Sequence, residues 1–298
     1  MGTMNKRISG LLILLAGYIV AIGASVGLYF GLAQAGLDLF LNLLICDVAA
    51  TIIIWLFGVL FKTASFYDPY WSVQTFVMVL AILISSGNWN AGTILFLVAL
   101  AYYTVRLTGN FIRTFHSLRY VDWRYEMLRE KSGKLFQIVN LMGICMFPTL
   151  IVYLASIPAL YVALGNFSWW QIIGFVVMVG AVTLELISDK QMTRFVKTRT
   201  DRSQVINVGL WRFSRHPNYL GEISFWFGVY FFFLAEFKEL WYWGAGAIAI
   251  LLMFLFISIP MEEKRMATYK PGLAAYKKRA NALLLLPERK PKEPVSEE

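Results

Sequence analysis

Eight apolar runs dominate this chain, at roughly 9–32, 39–61, 71–86, 91–106, 136–163, 168–187, 218–235 and 240–260. A membrane-crossing helix needs about 20 such residues. Hydrocarbon offers no water to backbone N–H and C=O groups, so a spanning segment must satisfy them within itself, as a helix does. Charged residues make up only 15% of the chain, against roughly a quarter in a soluble domain. That is too few to cover a water-facing surface. The expected fold class is an all-α, polytopic integral membrane protein with eight transmembrane helices.

Charge gives the orientation. With eight spans and the N-terminus inside, the outer connections fall near 33–38, 87–90, 164–167 and 236–239. Of 27 Lys and Arg residues only Lys238 lies in one of these. Inner loops of membrane proteins are rich in Lys and Arg, so both termini are expected to be cytoplasmic. The net charge of +9 is thus a topology signal. Nucleic-acid binding does not fit, because the cations sit at membrane ends and form no compact stripe. The first apolar run is too long for a signal peptide and shows no small-residue cleavage pattern, so it is expected to stay as the first span. Cys46 and Cys145 both lie inside apolar runs and imply neither a disulfide framework nor a metal site. Pro148 and Pro158 predict a kink or break in the fifth run.

Two inner loops are long, 106–134 and 188–216, and the last inner segment follows Pro260. The first interleaves Arg, Tyr and Trp, which suits a helix at the membrane interface. The chain is divided as 1–60, N-terminal spans; 61–287, the membrane domain; and 288–298, ERKPKEPVSEE, a disordered tail.

The densest polar cluster is Leu210-Trp211-Arg212-Phe213-Ser214-Arg215-His216-Pro217-Asn218-Tyr219-Leu220-Gly221-Glu222. Pro217 suits the first turn of a helix. Asn218 and Glu222 then share one face, with Glu222 one turn inside apolar surroundings. A carboxylate there is costly unless paired and marks a functional site by default. The plainer reading is a loop of interfacial anchors, with Arg212 and Arg215 on lipid phosphate. Asp47, inside the second run, is either a functional acid or a packing contact. His116 receives no role.

The run RHPNYLGE, DPYWS at 68–72, DWRYEMLRE at 122–130 and LWRFSRHPNYLGE at 210–222 together resemble the membrane-embedded steroid 5α-reductase and sterol-reductase superfamily. More narrowly, they resemble its bacterial steroid 5α-reductase-like branch. The resemblance covers about 60–285. It implies NADPH-dependent reduction of a carbon–carbon double bond in a hydrophobic, steroid-like or lipid substrate, with the cofactor held at the cytoplasmic ends of the last helices. Asn218 and Glu222 match the family's cofactor contacts, as do Asp189, Tyr269 and Tyr276; Arg265 stands at a basic or polar contact. Tyr219, His216 and Glu263 belong to the same set. Arg194, Lys197, Arg212, Arg215 and Arg279 are placed as a clamp for its phosphates, by charge-assisted hydrogen bonds. Where sterol reductases carry two basic residues, this chain has Met192 and Val196. No GxGxxG motif occurs, so the binding mode is not a Rossmann fold. In the reductases a Glu before a Pro pairs with a Tyr about 34 residues later; the matching pair is Asp68 and Tyr103. No metal is implied.

Two other functions share these residues. One is an S-adenosylmethionine-dependent methyltransferase of the isoprenylcysteine or phospholipid type, which has a similar Arg-His-Pro element and a Glu-Glu segment like Glu262-Glu263. It lacks the Asp-Pro-x-Trp-Ser and Trp-Arg-Tyr motifs. The other is a non-enzymatic lipid-binding membrane protein, which requires no such polar set. The expected partners are a hydrophobic small molecule from the bilayer and membrane lipids. The short outer loops and the branch resemblance favour a bacterial inner membrane over the endoplasmic reticulum.

A reporter fused after Glu298 should be active only on the cytoplasmic side; activity on the opposite side contradicts the eight-span topology.

Overall fold

The computed structural model describes residues 2–119 and 121–289. Among them no β-strand occurs. The helices are α1 (Gly2–Gln34), α2 (Leu39–Leu60), α3 (Tyr70–Ser86), α4 (Ala91–Thr114), α5 (Trp123–Ser132), the short α6 (Phe136–Val139), α7 (Phe147–Leu164), α8 (Gln171–Thr198), the single turn α9 (Leu210–Phe213), α10 (Pro217–Leu234), α11 (Ala245–Met253), α12 (Ile259–Tyr269) and α13 (Leu273–Arg279).

Among the described residues, six helical stretches are long and apolar enough to cross a membrane: Lys6–Gln34, Leu39–Leu60, Ala91–Thr114, Trp123–Leu164, Gln171–Thr198 and Lys238–Tyr269. The third and seventh apolar runs are helical as well, as α3 with 17 residues and α10 with 18. Their outward faces are apolar; on α1, Leu12, Leu15 and Ile19 stand exposed. That surface suits lipid and would be a liability in water.

The prolines act unequally. Pro148 is the second residue of α7, and the turns just before it, Asn140–Met146, are widened to a π-helix. Pro260 stands at the second position of α12 behind a similar stretch, Phe254–Ser258. Proline lacks an N–H and its ring crowds the carbonyl four residues back, so a wider turn relieves both. Pro158 lies within α7, which continues past it.

The described residues form two compact units: those of Met1–Trp169 with Phe233–Gly246, and those of Trp170–Phe232 with Ala247–Glu298. The boundary read from sequence at 60/61 falls inside the first. In that unit α1 packs along α2, and α3 packs against α4 and α7. Asp38 caps α2, accepting from Phe40 N at 3.0 Å and Leu41 N at 3.1 Å. Asn90 caps α4, and its amide also donates to Gly165 O at 2.8 Å.

In the second unit α8 and α10 approach closely through small residues. A Cβ on Gly228 would stand 2.9 Å from Met178 N, and one on Gly221 would stand 2.8 Å from Ala181 O. Glycine permits this contact, a usual device between membrane helices. It fixes the start of α10, and with it Asn218 and Glu222.

The tail read as disordered begins in ordered contacts. Arg289 N donates to Arg279 O at 3.0 Å, and Glu288 pairs with Arg212 at 3.1 Å. Residues 290–298 of that tail lie outside the described residues.

Candidate functional site

Two polar constellations are described, one in each unit.

In the first unit the loop 61–69 carries the Asp-Pro motif into α3. Thr63, Ala64, Ser65, Phe66 and Tyr67 are all buried. Ser72 donates back to Pro69 O at 2.9 Å, and Thr104 on α4 donates to Ser72 O at 2.9 Å, which pins the start of α3. Asp68, half-buried, accepts a hydrogen bond from the hydroxyl of Tyr125. Tyr125 is buried on α5. Asp122 caps that helix, accepting from Arg124 N at 2.9 Å, and grips the Arg124 guanidinium at 2.8 and 3.1 Å. The Trp-Arg-Tyr motif therefore has a structural meaning: its Asp and Arg set the helix start, and its Tyr delivers a phenol to Asp68.

The structure gives Asp68 a partner that the expected pairing did not name. The tyrosine on Asp68 is Tyr125, 57 residues further along the chain, where sequence spacing named Tyr103. Spacing counts residues and cannot see α5 returning to the Asp-Pro loop. Tyr103 itself is fully buried on α4. Burial pushes the Asp68 carboxyl up from 3.8 to about 6, against the lowering pull of the Tyr125 hydroxyl and the Arg124 charge.

In the second unit, α9 and the turn after it are built onto α8. Gly209 takes a positive φ of 60°, with the Gln191 side chain so close that a Cβ would stand 2.6 Å from it. Gln191 accepts from Leu210 N at 2.9 Å, and the Trp211 indole donates to Ser188 O at 3.1 Å. The C-terminal segment then pairs with this turn. Arg215 N donates to Asn281 O at 2.8 Å, Asn281 N to Phe213 O at 3.2 Å, and the Ser214 hydroxyl to Leu283 O at 2.7 Å.

Glu263 of α12 is the hub of this arrangement. Its carboxylate meets Arg215 Nε at 2.7 Å, Lys277 Nζ at 2.5 Å and His216 Nε2 at 3.3 Å. Arg215 spends further donors on Ala280 O at 2.6 Å and Lys277 O at 3.4 Å. Tyr276 donates to the carbonyl of Trp211 and lies 3.2 Å from that of Ser214; burial raises its phenol above the ordinary range. His216 stacks on Tyr219, with centroids 5.2 Å apart and planes at 7°. Removing one partner of a buried ion pair such as Arg215–Glu263 strands a charge, at a cost of about 3–5 kcal/mol.

The residues named from sequence thus divide. Arg215, His216, Glu263 and Tyr276 are joined to one another or to the turn's backbone and act as its frame. Arg212 is exposed and held by Glu288. Asn218 is half-buried, and Glu222, one turn on, is buried and accepts from the Trp226 indole at 3.0 Å. Asp189 is half-buried on α8, where Arg194 and Lys197 stand exposed near the C-terminus. Arg265 is half-buried and Tyr269 exposed on α12; Arg279, half-buried, ends α13. Sequence reasoning missed Lys277 and Asn281. Neither belongs to a motif, although Lys277 lies in a basic last turn, a usual place for a cation.

Asp68 gives a test with a defined sign. Its carboxyl holds a proton to about pH 6 when folded and to 3.8 when unfolded. The stabilising contribution is therefore complete below the lower value and lost as pH rises through the upper one. Asp68→Asn cannot ionise, so its melting temperature relative to wild type should climb between about pH 4 and about pH 7. Thermal unfolding in detergent measures this, and a pH-independent difference contradicts the burial of the carboxyl.

Comparison with known proteins places the chain. An uncharacterised protein of the fission yeast Schizosaccharomyces pombe is 26% identical over 219 residues, covering 64% of this chain and 63% of its own length. The chain thus spans under two thirds of that relative. No solved structure matches it. Residues 54–281 match the family described as protein of unknown function DUF1295, which takes in all but the first helix, most of the second and the tail. The chain belongs to the DUF1295 family, which is associated with steroid 5α-reductase-like membrane proteins.

Proposed function

We propose that this protein is a membrane-embedded, NADPH-dependent reductase of a carbon–carbon double bond conjugated to a ketone, in a hydrophobic substrate drawn from the bilayer. The observation that carries the reading is the carboxyl–phenol pair of Asp68 and Tyr125. Adding hydride to an enone places negative charge on the ketone oxygen, and a positioned donor must meet it. With Asp68 in its acid form, the carboxyl hydrogen can turn to the Tyr125 oxygen and leave the phenol hydrogen for the ketone. A carboxyl held near pH 6 is suited to that exchange. Tyr103 is a further buried phenol of the first unit.

The residues of the second unit fit a phosphate-bearing dinucleotide in part. Arg194 and Lys197 are exposed cations near the end of α8, and Arg279 lies half-open at the end of α13. These three would meet its phosphates. Asn218 and Glu222 present amide and carboxylate from adjacent turns of α10. Arg215 has most of its guanidinium engaged already, so it and His216 support the site from behind. NADPH, when bound, would supply the hydride; the chain's own groups orient it and donate the proton. In this reading eight helices span the membrane, both termini are cytoplasmic, and the membrane is a bacterial inner membrane.

Two substitutions separate the roles. Tyr125→Phe should lower turnover at least about tenfold and leave NADPH affinity near wild type. Asn218→Ala should weaken NADPH binding by about 1–3 kcal/mol, roughly 5- to 150-fold. Normal turnover in the first variant removes Tyr125 from the chemistry. Binding of S-adenosylmethionine in place of NADPH by the purified protein overturns the reductase reading.

A further inference from the structure

A second carboxyl in the first unit has no part in the site described above. Asp47 lies within α2 and is 4% exposed. Its Oδ1 accepts from the Tyr70 hydroxyl at 2.6 Å, and its Oδ2 from Gln74 Nε2 at 3.2 Å. Gln74 also donates to Thr149 O at 3.3 Å, which binds α2, α3 and α7 to one another. The Thr51 hydroxyl, one turn after Asp47, neighbours the Tyr70 phenol. Thr51 Oγ1 stands 3.0 Å from Thr149 Oγ1, and Thr149 Oγ1 stands 2.9 Å from the Tyr67 hydroxyl. Every one of these side chains is buried.

The groups line up as Asp47, Tyr70, Thr51, Thr149, Tyr67. Tyr67 immediately precedes Asp68. Tyr18 adds a further phenol, within electrostatic reach of both Tyr67 and Asp68. A row of hydroxyls in a dry interior is an expensive arrangement, since each needs a partner. Packing alone would be served by valine and phenylalanine at the same positions. What a hydroxyl row does that apolar residues cannot is accept a hydrogen on one side while giving one on the other. Intramembrane carboxyls such as Asp47 mark proton routes in membrane proteins, and this row of hydroxyls starts from one.

We infer that the row Asp47–Tyr70–Thr51–Thr149–Tyr67 is a proton relay that resupplies the Asp68 acid pair. The inference rests on the reductase reading, in which each turnover consumes one proton. The Tyr70 hydroxyl donates to Asp47; once Asp47 is protonated, its carboxyl hydrogen turns to the Tyr70 oxygen and the phenol hydrogen turns to Thr51. Tyr70, Thr51 and Thr149 each gain one hydrogen and pass one on. Tyr67 releases one toward Asp68. Asp47 is left as carboxylate and every hydroxyl is restored, so one proton moves and no electrons are transferred. Gln74 Oε1 is buried with no hydrogen-bond partner among the described residues. It is an open acceptor beside Asp47. The other titratable groups facing Asp47 are Cys46 on its own helix and Tyr153 on α7.

The test breaks the row at its middle without disturbing its ends. Thr149→Val keeps the shape and removes the hydroxyl; Thr149→Ser keeps the hydroxyl. Infrared spectra of full-length protein in detergent, differenced against Asp47→Asn, assign the Asp47 carboxyl band. Its exchange rate in heavy water is then read in each variant. The relay predicts that Thr149→Val slows exchange, and turnover, at least about tenfold, while Thr149→Ser restores both. Wild-type exchange in Thr149→Val overturns the relay. So does equal loss in both variants, which assigns Thr149 to packing, and so does the absence of any acid band that depends on Asp47. The infrared readout does not need turnover. A protein with no NADPH-dependent activity but with the predicted exchange pattern sinks the reductase reading and spares the relay.

Discussion

Hydrocarbon supplies no hydrogen bonds, and the rest of this structure follows from that. Backbone groups close on themselves in helices, and polar side chains are confined to places where they meet one another. In the first unit they gather along α2, α3 and α7: Asp47 with Tyr70 and Gln74, Thr51 with Thr149, and Thr75 with Ser156 at 2.6 Å. Each pair crosses from one helix to the next, so the polar contacts also fix register between helices whose outer faces are uniformly apolar. Apolar packing alone would leave that register weakly specified, because lipid tails compete for the same surfaces.

Where the chain turns back, charge replaces hydroxyls. Glu263 holds Arg215, His216 and Lys277, which come from two separate stretches of sequence. With Asn281 paired to Phe213 and Arg215 through the backbone, the carboxylate makes the Arg-His-Pro turn and the C-terminal segment one rigid piece. Asn218 and Glu222 follow that turn at once on α10, so the frame sets where they point. The polar motif with the strongest functional signature in sequence is therefore half scaffold. Its Arg and His hold the turn, and its Asn and Glu are what the turn presents.

The helices were legible because apolar length is a property of the chain alone. Their interruptions were legible in part. Pro148 and Pro158 are equivalent in sequence, yet only the first follows a widened turn. What separates them is helix continuity upstream, which no local pattern states. The motifs carry residues of both constellations, but spacing within a motif does not show how they pair. Asp68 and Tyr125 sit in separate motifs 57 residues apart, and only the return of α5 joins them. Lys277 looked like one of several cations in a basic turn. Asp47 stood out as a carboxyl in an apolar run, but the row of hydroxyls beside it combines three helices and a loop, and spacing within any one of them gives no hint of it.

Labelled cofactor tests the account most directly. Purified protein in lipid nanodiscs would be given NADPH carrying deuterium at the transferable position, together with a set of conjugated enone lipids. Products would be examined by mass spectrometry. The account predicts a saturated ketone carrying one deuterium on carbon, formed by wild type and greatly reduced in Tyr125→Phe. Unlabelled product, or a methylated lipid formed only when S-adenosylmethionine is supplied, would contradict it.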